Sequence, residues 1–186
     1  MPLIFVGACE VTTKSSESYE FDFSGFGLIN LKVSQLRVEN RSLQGTANDV
    51  AMRLALPPLV ALEKWVDQRL KATGSSDNTI ISIIVHDSKV IEQSLDQGDS
   101  IRSAFINQQS HRYSFVLKVS VEAIDKRGKT LAVSSVKVER STTTAEGMTL
   151  TERNHRLHNM TKKLFLDFDR QMQGNLAKYF LTWLED

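Results

Sequence analysis

Glu152 and His155 stand three residues apart, a spacing that puts a carboxylate and an imidazole on one face of a helix. Di-iron bundles use that half-motif, but they need a second copy and two more carboxylates from other helices. The chain holds no second Glu-x-x-His. His155 and His158 are also one helical turn apart and would hold a metal only with a third ligand. Glu152 follows Thr149 by three residues, the spacing of a capping box, so the favoured reading is a capping glutamate followed by two exposed imidazoles. His86-Asp87 falls at the end of an apolar run, where a catalytic pair would need a nucleophile that the sequence does not name. Ser134 and Lys137 match Ser-x-x-Lys, whose chemistry needs both side chains on one helical turn, yet this stretch reads as a strand. His111-Arg112 reads as an exposed edge. The sequence carries no phosphate loop, no Gly-x-Ser-x-Gly elbow, no His-Glu-x-x-His and no clustered glycines of a dinucleotide fingerprint. No catalytic, cofactor-binding or metal residues are therefore assigned, and the chain reads as a non-enzyme.

One residue carries a different chemistry. Cys9 is the single cysteine, and it closes the quartet Val6-Gly7-Ala8-Cys9. An aliphatic residue, two small residues and a cysteine form the pattern of a lipobox, in which the cysteine receives lipid after cleavage. Pro2 to Phe5 read as the tail of an apolar signal region; no Lys or Arg precedes Cys9. The following KSSESYE is short, polar and serine-rich, which suits a tether. The competing reading packs LIFVGACEV as an N-terminal strand around an inert core thiol.

The elements that would position these residues follow from periodicity. Leu28 to Arg41 reads as a strand whose parity changes near Ser34-Gln35, so a bulge is expected there. Pro57-Pro58 opens a helix with Leu59, Leu62, Val66 and Leu70 on one side, ending at Thr73-Gly74. Thr79 to Gln93 is rich in β-branched residues and reads as a central strand. Tyr113, Phe115, Leu117, Val119, Val121 and Ala123 alternate with mostly polar residues, giving a strand with one dry face. Gly128 marks the turn to its hairpin partner, LAVSSVKVER, where a slip is expected at Ser134-Ser135. From Thr149 onward, Leu157, Met160, Leu164, Phe168, Met172, Leu176, Tyr179 and Trp183 form the stripe of one long helix. The order β-α-β-β-β-α predicts an α+β two-layer sandwich, a four-stranded mixed sheet with two helices on one face. The first β-α-β is expected to be a right-handed parallel crossover. The helix carries more apolar surface than one face needs, and the favoured reading packs it across the whole sheet. The alternative projects its end, from Tyr179 to Leu184, to dock a partner or a second copy, with Tyr179, Phe180 and Trp183 as partner-binding candidates.

Composition narrows the classes. In 186 residues, 41% are hydrophobic and 24% charged, the balance of a folded domain. With 23 basic and 22 acidic residues the net charge is +1, which gives no electrostatic case for nucleic acid, and no aromatic–basic interleaving supports base stacking. No apolar run reaches the ~18 residues of a spanning helix.

Several stretches in order carry a resemblance: PPLVALEKWVDQRLKATG with Trp65 and Asp67 to Leu70, HDSKVIEQSL, FINQQSHRYSFVLKVSVEA with Arg112-Tyr113, VERSTTTAEGMTLTERN with Glu152-Arg153, and a final FLTWL. Over residues 28 to 184 the chain resembles a family of uncharacterised Gram-negative envelope lipoproteins. Its element order is also similar to that of the auxiliary lipoproteins of ABC-type lipid transport and of the lipopolysaccharide-assembly lipoprotein. The resemblance implies lipid on Cys9, a periplasmic domain, and anchoring to the outer membrane, since Glu10 rather than Asp follows the cysteine. It defines no catalytic residues to carry over.

The expected organisation is a signal-peptide remnant at 1–8, a lipid-anchored tether at 9–20 and one periplasmic domain at 21–186. The leading functional reading is a non-catalytic protein assisting envelope assembly or transport through protein contacts, with the membrane reached through Cys9. One alternative is a soluble cytoplasmic interaction module with a packed N-terminal strand. The other is an enzyme with a site near His86 and Asp87.

Overall fold

A computed structural model describes residues 21–43, 45–74, 78–95 and 109–185. Its architecture is α+β. Strands β1 (Ile29–Leu31) and β2 (Gln35–Asn40) precede helix α1 (Pro58–Arg69). Strands β3 (Leu70–Ala72), β4 (Ile80–Ser94), β5 (Gln109–Ile124) and β6 (Thr130–Ala145) follow, and helix α2 (Leu150–Tyr179) closes the order. The main sheet runs β2-β4-β5-β6, with β2 parallel to β4 and the other pairs antiparallel. A second, two-stranded parallel sheet joins β1 to β3.

The alternation in β5 builds the core. Tyr113, Phe115, Leu117, Val119, Val121 and Ala123 are all buried, in one cluster with Ile81, Ile83, Val85 and Val90 of β4. Both helices close the same cluster, α1 with Leu62, Trp65 and Val66 and α2 with Leu157, Leu164, Phe165, Phe168, Met172 and Leu176. Trp65 meets Phe168 edge-on at 5.0 Å, a geometry that aromatic pairs favour. The opposite sheet face exposes Lys118, but Ile84 and Ser120 on it are buried.

Three local expectations are corrected. The strand foreseen over Leu28 to Arg41 is two strands in two sheets. Leu31 pairs with Ala72, the chain kinks through a Val33 N–H to Leu31 carbonyl bond of 2.8 Å, and Ser34 bonds the Thr79 carbonyl through both N–H and Oγ. The parity change thus marks a change of sheet, not a bulge. Helix α1 ends at Arg69 rather than Thr73, because Leu70 to Ala72 gain ladder bonds to β1 that a last helical turn would forgo. No slip occurs at Ser134-Ser135: Ser134 and Ser135 face Val121 and Ser120 in register, and Ser134 simply takes a core position in place of an aliphatic residue. The irregularity in β4 lies instead at His86, between Val85 and Asp87.

Local chemistry explains the remaining boundaries. Asp125 accepts the N–H groups of Arg127 and Lys129 at 2.8 and 2.9 Å, and Gly128 takes φ 81°, which closes the β5–β6 turn. The bond from Lys129 leads in holding the Asp125 carboxyl below its usual range. Thr149 caps α2: its Oγ1 accepts the Glu152 N–H at 3.2 Å, and Glu152 accepts the Thr149 N–H at 2.9 Å. Helix α2 then covers the outer edge of β6. Asn175 donates to the Ser135 carbonyl and Arg156 to the Thr143 carbonyl, both at 3.2 Å, and Arg140 pairs with Asp167. Side chains of the helix thereby occupy acceptors that an open edge would offer to another strand.

Candidate functional site

The most elaborate polar arrangement lies between the two helices, where residues 23–27 meet the fold. Trp65 and Arg69 are one turn apart on α1, so both side chains leave the same helical face. Asp169 follows Phe168 on the buried stripe of α2. Its Oδ1 accepts Trp65 Nε1–H and Arg69 Nε–H, each at 2.8 Å. Arg69 is 1% exposed and Asp169 5%, so this is a buried ion pair. The guanidinium also donates through NH1 to the carbonyl oxygens of Phe26 and Gly27. One residue back on α1, Gln68 accepts the Phe23 N–H at 2.7 Å. Phe23 itself is buried against Phe165 at 5.6 Å. A charged latch thus pins the start of the described chain to both helices. The signal for it was an aspartate amid an apolar stripe, which a pattern search for catalytic spacing passes over.

Cys9 and the segments 1–8 and 9–20 lie outside the described residues. The C-terminal candidates are placed, and the chain end folds back onto the core and does not project. Helix α2 stops at Tyr179, a short 3-10 turn follows over Leu181–Trp183, and the chain returns along β1 through the Leu31–Leu184 bridge and a Lys32 N–H to Trp183 carbonyl bond of 2.7 Å. Phe180 is completely buried and stacks toward Trp183 at 5.9 Å, while Trp183 packs partly against the core. Tyr179 stands at the surface, 48% exposed, with the Lys178 ammonium 4.9 Å from its ring. Phe180, with Trp183 and Leu184 partly buried beside it, seals the end of the core because the chain doubles back, while Leu181 stays 71% exposed.

Around His86 the structure supplies a neighbour that the sequence did not indicate. The bulge turns His86 toward Ser120 on β5, with Nε2 and Oγ 2.7 Å apart. A nucleophile–base pair also needs a group orienting the second imidazole nitrogen. Asp87 does not serve, since it pairs with Lys89 at 2.8 Å. The pair sits on the open sheet face and satisfies Ser120, whose burial demands a partner.

The helical Glu-His-His run resolves as structure. Glu152 is engaged in the capping box, chiefly through the Thr149 side chain, which holds its carboxyl below the ordinary range. His158 is 6% exposed, and burial, followed by Lys162 and His155, pushes it below the imidazole value of 6.5. Among the described residues no group of three His, Cys, Asp or Glu side chains is placed to hold a metal.

No family model matches the chain, and no curated protein matches it. Solved structures do. The chain is similar to rare lipoprotein B from Shewanella oneidensis at 14% identity and a TM-score of 0.40, over 77% of this chain and 95% of that one. It is similar to a minor lipoprotein from Acinetobacter baumannii at 16% identity and a TM-score of 0.37, over 78% of this chain and 94% of that one.

Proposed function

We propose that this chain is a non-catalytic, lipid-anchored protein of the Gram-negative envelope. In this reading Cys9 carries the lipid, residues 9–20 form the tether, and residues 21–186 hang in the periplasm from the outer membrane. The domain assists envelope assembly or transport through contacts with other proteins. The observation that carries the reading is the quartet Val6-Gly7-Ala8-Cys9, with its lone thiol, running into a polar serine-rich segment.

Two physical points support it. A single acyl chain binds a bilayer only marginally, whereas two or more hold stably at about 0.8 kcal/mol per buried methylene, so a multiply acylated cysteine needs no further anchor. The latch at Arg69 fits a tethered domain, because Gln68 and Arg69 bind the first described residues to α1, Arg69 is paired with Asp169 of α2, and Phe23 packs against Phe165 of α2. The solvent-facing Tyr179 and the sheet face with Lys118 are surfaces open to a partner.

The test is fractionation of cells expressing the natural gene with its upstream DNA, against a Cys9→Ala variant. The reading predicts that the natural protein sediments with outer membranes and that the variant leaves that fraction. A natural protein found soluble in the cytosol overturns it.

A further inference from the structure

A cleft of about 330 Å³ opens between the first turns of α2, the 3-10 turn Ala51–Arg53 and the paired strands β4 and β5. Half of its lining is apolar: Leu54 and Leu157 are buried, while Leu150, on the rim, is 62% exposed. Two guanidinium groups, Arg53 and Arg153, line it together with Glu92 and Tyr113. Tyr113 is 2% exposed, and its hydroxyl donates to Glu92 Oε1 at 2.5 Å. Burial first, then Glu92, pushes the Tyr113 phenol up to about 12, with Arg153 acting weakly against them, so the phenol keeps its proton and one carboxylate oxygen is committed to it. Arg153 acts on the Tyr113 phenol both through its charge and through a side-chain hydrogen bond. The cleft holds two fixed positive charges and one negative charge beside leucine side chains.

The geometry points to a binding site for a small amphiphile with one carboxylate head and a short apolar body. A guanidinium fork matches a carboxylate in shape as well as charge. A single surplus positive charge balances a monoanion, while a dianionic phosphate would bring uncompensated charge next to Glu92. Pockets that bind small ligands combine apolar walls with a few convergent polar groups in this way, and the volume falls at the lower end of their range. The inference rests on residues remote from Cys9 and stands whether or not the chain is lipid-anchored.

The experiment is calorimetric and methyl-NMR titration of the full chain with decanoate below its micellar concentration, with decanol as the uncharged comparison. The site predicts saturable one-to-one binding that perturbs the Leu150 and Leu157 methyls. Arg53→Ala and Arg153→Ala should each weaken binding about tenfold, the size of one charge-assisted hydrogen bond. Leu150→Glu should abolish it with the fold intact, since an acidic residue suits the first turn of a helix. No saturable binding by about 1 mM, decanol binding as tightly as decanoate, or full binding by Leu150→Glu would each overturn the assignment.

Discussion

Arg69 and Asp169 meet at 2.8 Å where neither is more than a tenth exposed, and the same carboxylate oxygen takes the Trp65 indole N–H. Removing one member of such a pair leaves the other charge buried without its counter-charge, at a cost of about 3–5 kcal/mol. Arg69→Ala and Asp169→Leu should each lower the unfolding free energy by that amount in urea titration. The double variant Arg69→Met/Asp169→Leu should lose much less than the sum, because no charge stays buried. Additive losses would mean that the two residues act separately.

The capping box makes a smaller and local prediction. Thr149→Ala should cost about 1 kcal/mol, while Thr149→Ser should be nearly silent, because serine supplies the same acceptor to the Glu152 N–H. Amide exchange in the first turn of α2 should rise in the alanine variant alone. Equal loss in both variants would show that the threonine methyl, not the hydroxyl, matters there.

How much of this was legible depends on the range of the interaction. Period-two alternation from Tyr113 to Ala123 and the Thr149–Glu152 spacing are local signals, and the sheet strand and the helix cap follow from them. The break at Lys32 to Ser34 was visible as a parity change, but its cause is pairing with residues about 40 positions away, so a bulge and a change of sheet look alike in sequence. Phe180 and Trp183 read as surplus apolar surface because nothing local says that the chain turns back onto β1. His86 and Ser120 come together only through the β4–β5 register and the shift between Val85 and Asp87. Asp169 was hidden for the same reason: its partners lie about 100 residues earlier.

His158 gives a pH dependence with a definite sign. Burial leads in holding its folded-state value below 6.5, so the unfolded chain takes up the proton first. The stability tied to the neutral imidazole is full above that value and is lost as pH falls through the window below it. Denaturant titrations between about pH 7 and about pH 5 should therefore show stability falling toward acid in the natural chain and a flatter profile in His158→Gln. An identical slope in the variant would assign the effect to other groups.

The most direct measurement is mass spectrometry of the N-terminal peptide from protein expressed at its natural locus and taken from the membrane fraction. The account predicts a chain beginning at Cys9 that carries diacylglyceryl and acyl groups. An unmodified chain beginning at Met1 or Pro2 and located in the cytosol would contradict it.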